Sequence, residues 1–208
     1  MKKKLSHKDF ERAILMDYEG NKDKPPTLLG WLLNDTYQAG IIEPVFADCA
    51  NRYRAKATVS RDHKELVTEL LLRAIEEDRL LISWSLHDLR MMQSAVDEEA
   101  QRLLSHVHRN ALDTVRPWYR NSVGQRTGPA TLQFFSELVG YQIPERYGPG
   151  VTGQSLRLIR EQLGRGRAYA ELSDKAREGW QIIVKHNQQD LLAMNAVLGH
   201  VLGGSRRG

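Results

Sequence analysis

The chain has 208 residues, of which 41% are hydrophobic and 27% are charged, and this length and composition are typical of one folded domain with its own core. They exclude a disordered acidic or basic tail. The 30 Lys and Arg residues exceed the 26 Asp and Glu residues by four, a mild excess that fits an anionic partner without requiring one.

Cysteine usage and the two ends of the sequence predict a cytoplasmic protein. The single cysteine, Cys49, excludes an internal disulfide and a zinc site built of thiolates, so a reducing compartment is the default. The basic segment Met1–Lys4 is followed by polar residues instead of the apolar core of a signal peptide. The apolar stretch 191–204 contains Asn195 and His200 and is shorter than the ~20 residues that span a bilayer. We therefore expect no membrane partner.

The first 46 residues predict an antiparallel meander. An apolar run at residues 12–19 ends in acids and is typical of a buried strand. Residues 27–33 predict a second strand, Asn34 and Asp35 a hairpin turn, and residues 36–46 a third extended segment.

The middle of the chain alternates between helix and strand patterns. From Ser60 to Asp78, apolar residues recur every three to four positions and predict a helix. Residues 80–84 predict a short strand, residues 87–104 a helix, and residues 111–115 a further strand. This order predicts an α/β fold with a mixed five- or six-stranded sheet, antiparallel at the start and parallel afterwards, flanked by helices.

The second half is predicted to be helical, with a Gly- and Pro-rich loop at residues 143–153. Three helices are predicted, at residues 129–140, 155–163 and 173–202, the first of them ending at Gly140. We treat residues 1–202 as a single domain and residues 203–208 as a flexible tail.

Two places in the predicted sheet carry acids that suit a metal ion. Asp17 and Glu19 are two positions apart on the first strand, so both carboxylates project from the same face. Adjacent acids repel, and a divalent cation with oxygen ligands compensates for this repulsion; alternatively, the strand has ended and both acids face water. Asp88 follows the strand at 80–84, at the end where open α/β sheets bind ligands, although it also suits the first turn of a helix.

A third candidate group lies on the last helix. His186 and Asp190 are four residues apart, which puts the imidazole and the carboxylate on one helix face. Taken alone, this pair is equally typical of a surface hydrogen bond. The order of the three groups along the chain is more informative than any one of them.

That order resembles the DEDD superfamily of 3′–5′ exonucleases, which has a ribonuclease H-like fold, and in particular its predicted exonuclease domains found beside helicase-like proteins. The resemblance covers residues 12–202. It includes residues 132–141 and 155–160, and residues 185–198 are similar to a helix with the motif Tyr-Asn-x-x-Asp-Val-x-Ala.

Two features depart from the pattern of the superfamily. Its tyrosine branch has Tyr-x-x-x-Asp and its histidine branch has His-x-x-x-x-Asp, whereas here His186 stands at the tyrosine spacing. The middle motif, residues 83–88, lacks the usual Asn and the aromatic residue before the Asp, and His87 precedes Asp88 instead.

The resemblance implies a two-metal phosphodiesterase that removes nucleotides from the 3′ end of DNA or RNA. By that resemblance Asp17 bridges two Mg²⁺ or Mn²⁺ ions, Glu19 and Asp190 hold one of them, Asp88 supports the other, and His186 is the general base. Two alternatives remain open: a catalytically impaired module that binds nucleic acid or protein on the same fold, and a metal-dependent hydrolase of small phosphoesters.

Three basic residues are weaker candidates for contacts to a single-stranded nucleic acid with a 3′ end. Lys185 lies beside the motif on the last helix, and Arg157 and Arg160 lie on the helix before it. Such side chains neutralise backbone phosphates in nucleic-acid-binding proteins. More often they solvate exposed helix faces.

Overall fold

A six-stranded mixed sheet with helices packed on both faces forms the centre of the protein. The structure, a computed structural model, describes residues 4–21, 24–52, 58–124, 130–148 and 150–203. The strand order across the sheet is β4-β3-β2-β1-β5-β6. The predicted fold class, α/β with an antiparallel meander followed by parallel strands and a helical C-terminal half, is confirmed.

The strands are short, and β1 lies near the middle of the sheet. They are β1 Ile14–Glu19, β2 Leu28–Leu33, β3 Thr36–Ile41, β4 Thr58–Ser60, β5 Leu81–Ser83 and β6 His108–Asn110. Strands β1, β2 and β3 pair antiparallel, and β5 and β6 continue the sheet parallel to β1, while β4 pairs parallel to β3. The predicted hairpin turn is present, with Asn34 at φ 48° and Asp35 at φ 61°, the left-handed conformations that a two-residue turn between twisted strands requires.

The described ranges contain eight α-helices and three short 3₁₀ helices. The α-helices are α1 His7–Glu11, α2 His63–Glu76, α3 Leu86–Ala95, α4 Glu98–Val107, α5 Leu112–Val123, α6 Leu132–Leu138, α7 Thr152–Gly164 and α8 Asp174–Gly203. The 3₁₀ helices are Pro44–Cys49, Glu145–Tyr147 and Tyr169–Glu171. Gly140, at φ +84°, follows α6 as expected for a residue that ends a helix.

Several predicted elements differ from the structure. The third strand ends at Ile41 because Pro44 begins a 3₁₀ helix. The helix predicted at residues 87–104 is divided into α3 and α4, because the Asp97 side chain accepts a hydrogen bond from the backbone N–H of Ala100 and starts a new helix.

The strand predicted at residues 111–115 is wrong. Those residues open α5, and the strand is the preceding segment β6. The chain changes from strand to helix at Asn110. Its side-chain oxygen accepts a hydrogen bond from the backbone N–H of Leu112 at 3.1 Å and so satisfies a free donor at the start of the helix.

The sheet separates two apolar cores. On one face β1 contributes Ile14 and Met16, which pack with α2, α3 and α4. On the other face Leu15 packs with α7 and α8, where Trp180 is fully buried. Because side chains alternate along a strand, the residues that follow Leu15 at two-residue steps also face α8.

The last helix ends at Gly203, one residue beyond the predicted domain limit. The remainder of the predicted tail, residues 204–208, lies outside the described residues. Among the helices of the described ranges, including the 30-residue α8, none is both long and apolar enough to cross a membrane.

Candidate metal centre

Strand β1 and helix α8 bring Glu19, His186 and Asp190 together. Glu19 is the last residue of β1 and is 6% exposed. The imidazole Nε2 of His186 lies 3.4 Å from Glu19 Oε1 and 3.7 Å from Asp190 Oδ2. One ligand atom from each of the three residues lies within 4.8 Å of the others. The two weakly informative sequence groups, on the first strand and the last helix, thus form one cluster.

Asp17 and Asp88 complete a group of four acids. Asp17 lies two residues before Glu19 on the same face of β1, and its carboxylate interacts electrostatically with those of Glu19, Asp190 and Asp88. Asp88 lies in the first turn of α3, directly after β5, and is 6% exposed. The four acids that the sequence singled out therefore interact electrostatically from three separate elements.

Asp88 also occupies the first turn of a helix, the alternative that the sequence left open. Ser85 is the N-cap of α3, and its hydroxyl donates to Asp88 Oδ2 at 3.3 Å. Burial raises the pKa of the Asp88 carboxyl, against opposing hydrogen bonds and the charge of His87. His87 itself is exposed. The helix turn thus fixes Asp88 in place without removing it from the acid cluster.

The electrostatics of the cluster disfavour full ionisation of its acids. Burial, followed by the charges of Glu19, Asp190 and Asp88, raises the pKa of Asp17 well above its usual value. Burial raises the pKa of Glu19 to about 8, although the charge of His186 opposes this. Burial likewise raises the pKa of Asp190 to about 6, again opposed by His186. Cations would remove this penalty, because they balance several ionised carboxylates at once.

The orientation of His186 is set by a backbone carbonyl. His186 is 8% exposed, and its Nδ1–H donates to the carbonyl oxygen of Tyr147 at 2.5 Å. That bond turns Nε2 toward Glu19 and Asp190. Burial lowers the pKa of the imidazole, but the two carboxylates and the Tyr147 carbonyl outweigh it, so that the pKa is raised.

Asn187 is a site residue that the sequence analysis did not identify. Its side-chain Nδ2 donates to Asp17 Oδ2 at 2.8 Å and to the Asp17 carbonyl at 3.0 Å. Its Oδ1 accepts a hydrogen bond from the Tyr37 hydroxyl at 3.0 Å. Gly30, paired with Asp17 across the sheet, leaves the necessary room, since a Cβ there would lie 1.6 Å from Asn187 Oδ1. The available signals were Gly30 inside an apolar strand and the Asn of the resembled motif.

The segment predicted as a loop at residues 143–153 also contributes to the site. Besides the Tyr147 carbonyl, it supplies Thr152, the first residue of α7, whose side-chain hydrogen bond lowers the pKa of Glu19. Nearby, the Tyr141 hydroxyl donates to Gln189 Oε1 at 3.0 Å. Burial and the charge of Asp190 raise the pKa of Tyr141.

The three basic candidates have different surroundings. Lys185 is partly exposed beside His186, and its Nζ donates to Gln188 Oε1 at 2.9 Å. Arg157 is exposed on α7. Arg160 instead forms a two-point ion pair with Glu43, through Nε at 2.6 Å and a terminal nitrogen at 2.7 Å. This ion pair connects α7 to the segment after β3. If Arg160 contacted a phosphate, that contact would compete with the ion pair.

The arrangement can hold divalent cations through hard oxygen ligands and one imidazole nitrogen. Glu19 and Asp190 offer the oxygens, and His186 offers a ring nitrogen. Asp17 and Asp88 are further acids that interact electrostatically with this group. Comparison of the chain with protein-family models, with curated proteins and with solved structures gives no match in any of the three.

Proposed function

We propose that this protein is a metal-dependent exonuclease that hydrolyses phosphodiester bonds at the 3′ end of DNA or RNA. One observation carries the proposal: Glu19 and Asp190 offer carboxylate oxygens within 4.8 Å of each other and of a His186 ring nitrogen, and the charges of Glu19, Asp190 and Asp88 raise the pKa of Asp17. Such a group is unfavourable when ionised and becomes favourable around divalent cations. The same four residues are those that the resemblance to the DEDD exonucleases implies.

The position of Asp17 supports the role that the resemblance gives it. Its carboxylate interacts with each of the other three acids, as expected of a ligand shared between two sites. Asn187 holds this carboxylate with a hydrogen bond to Oδ2, which limits its rotation. Glu19 and Asp190 both lie close to His186, and Asp88 lies in the first turn of α3.

When bound there, two Mg²⁺ or Mn²⁺ ions would stabilise the attacking and leaving oxygens of an in-line displacement at phosphorus. The chain's own contribution is positioning: buried β1 and α8 fix the ligands, and the Ser85 cap fixes Asp88. Lys185 and Arg157 offer positive charge close to the motif helix and on α7 for a nucleic-acid backbone. The proposed substrate is a single strand with a free 3′ end.

Degradation of end-labelled oligonucleotides tests the proposal. Single-stranded DNA and RNA labelled at the 5′ end are incubated with the protein and Mg²⁺ or Mn²⁺, and we expect a ladder of 3′-shortened products that EDTA abolishes. Removing a residue that only supports a metal ligand costs about 10–100-fold, so we expect Asp17→Asn to lose more than that. Asp78→Asn is the matched control, because the Asp78 side chain is 98% exposed.

Three outcomes separate the candidate functions. Intact oligonucleotides, with a folded protein that binds neither metal ion, overturn the proposal. Tight binding of the oligonucleotide without cleavage supports the impaired binding module. Faster hydrolysis of a mononucleotide phosphodiester than of an oligonucleotide supports the small-phosphoester hydrolase.

A further inference from the structure

The geometry around His186 differs from that of a general base. A base accepts a proton from water through a free ring nitrogen, so that nitrogen must face the water and not a cation. Here Nε2 faces two carboxylates, at 3.4 Å from Glu19 Oε1 and 3.7 Å from Asp190 Oδ2. Both distances exceed the roughly 2.7–3.2 Å of an N–H···O hydrogen bond.

The second ring nitrogen of His186 has the partner that metal-binding histidines have. Nδ1–H donates to the Tyr147 carbonyl, so the neutral ring has its lone pair on Nε2. A metal-ligating histidine almost always donates its other N–H to a carboxylate or a backbone carbonyl in this way. The ring is 8% exposed, and its lone pair therefore points into the acid cluster instead of toward solvent.

The spacing of the three ligand atoms fits an ion between them. Around a tetrahedral ion with bonds of about 2.1 Å, neighbouring ligand atoms lie about 3.4 Å apart. The two Nε2 to oxygen distances, 3.4 Å and 3.7 Å, are close to that value. A lone pair that faces two carboxylate oxygens at these distances is repelled, and either a proton on Nε2 or a metal ion between the three atoms relieves the repulsion.

We propose that His186 Nε2 is a direct metal ligand together with Glu19 and Asp190, and that this mixed site selects a transition-metal ion over Mg²⁺. Imidazole nitrogen suits Zn²⁺, Fe²⁺ and the other later ions of the series, whereas Mg²⁺ prefers oxygen ligands and retains its waters. The inference deepens the proposed function, since it concerns the same cluster, and it replaces the role of general base for this histidine.

Electron spin-echo spectroscopy of the Mn²⁺-loaded wild-type protein, without nucleic acid, tests the coordination directly. An imidazole bound through Nε2 gives ¹⁴N modulation, and we expect that signal in the wild type. It should be absent in His186→Gln and His186→Tyr and retained in His106→Gln, the control, since His106 is exposed on α4. Because the signal is measured in the wild type, the test does not depend on the folding of any variant.

Competition between ions gives a second readout. We expect Zn²⁺ or Co²⁺ to displace Mg²⁺ from the wild type, and His186→Gln to weaken Zn²⁺ binding by at least about tenfold while Mg²⁺ binding changes much less. Mn²⁺-loaded wild type without ¹⁴N modulation, or equal Zn²⁺ affinity in His186→Gln, overturns the inference.

The two proposals fail in different ways. A ¹⁴N signal in a protein that degrades no oligonucleotide supports the ligand assignment and overturns the nuclease. Nuclease activity without the ¹⁴N signal supports the nuclease and overturns the ligand assignment.

Discussion

We predict that the stability of the metal-free protein falls as the pH rises, because the pKa values of its clustered acids are raised. Burial raises the pKa of Glu19 from 4.5 to about 8 and that of Asp190 from 3.8 to about 6. A carboxyl with a higher pKa in the native state keeps its proton longer there than in the unfolded chain, so stability is lost between the two values. His186 acts in the same direction, because its pKa is also raised and its stabilising charge is lost as the pH rises.

The size of the effect follows from Glu19 alone. A rise in pKa from 4.5 to about 8 corresponds to about 5 kcal/mol of native-state free energy. At pH 5 part of this free energy is already lost, so about 4 kcal/mol falls between pH 5 and pH 8.5. In a chain of this length, 1 kcal/mol shifts the melting temperature by about 2–4 °C, so the metal-free protein should melt roughly 8–16 °C lower at pH 8.5 than at pH 5. The other acids share the same repulsion with Glu19, and their contributions do not add to this figure.

Thermal unfolding followed by circular dichroism, in EDTA and from pH 5 to 8.5, measures the effect. Glu19→Gln removes the titrating carboxyl and should flatten the curve, while Glu76→Gln, on the exposed side of α2, should follow the wild type. A divalent ion at about 100 times its Kd adds about 2.7 kcal/mol, and we expect the larger gain at pH 8.5. The reasoning is refuted if the metal-free wild type melts at the same or a higher temperature at pH 8.5, or if Glu19→Gln keeps the wild-type slope.

Three further substitutions test the packing around the site, each by urea unfolding. Gly30→Ala places a Cβ 1.6 Å from Asn187 Oδ1 and should cost about 3 kcal/mol; an unchanged midpoint would show that the amide moves freely. Arg160→Ala leaves Glu43, with a side chain 14% exposed, without its ion-pair partner and should cost about 3 kcal/mol. Adding Glu43→Ala should recover part of that loss, and strictly additive costs would argue against coupling. Asp35→Gly relieves a φ of 61° in the hairpin turn, a left-handed conformation that costs a non-glycine residue about 1 kcal/mol. Glycine also adds entropy to the unfolded chain, so the net gain should be about 0.5 kcal/mol, and a lower midpoint would contradict that assignment.

The sheet could be predicted where strands carry apolar side chains, and not where they carry polar ones. Strand β1 is an apolar run that ends in acids, and both its position and its acids were predicted. Strand β6 consists of His108, Arg109 and Asn110, which have no strand signature. It is a strand because it pairs parallel to β5 and because His108, although polar, is buried and hydrogen-bonded to Ser83 at 2.9 Å. The formation of such a strand depends on pairing with β5. Local sequence instead predicts a strand in the apolar residues that follow it.

The residues of the candidate site also fall into two groups, those that the sequence could indicate and those that it could not. The four acids and His186 could be singled out as candidates because a metal centre would require particular side chains at particular places along the chain. The contribution of Tyr147 could not be predicted, because it is a backbone carbonyl, which every residue has. The role of Thr152 depends on where the segment after α6 returns to the sheet, and local sequence does not determine that position.

Asn187 shows how the fold and the site depend on the same contact. It is adjacent to His186 on α8, so the two side chains point about 100° apart around the helix. The Asn187 amide binds Asp17 in the space that Gly30 leaves free. The His186 imidazole lies beside Glu19 and binds the Tyr147 carbonyl. A rotation of α8 by one residue would remove the amide from Asp17 and the imidazole from Glu19 together. The packing of α8 on β1 and β2 therefore sets the ligand geometry, and a mutation such as Gly30→Ala should weaken metal binding without altering any ligand.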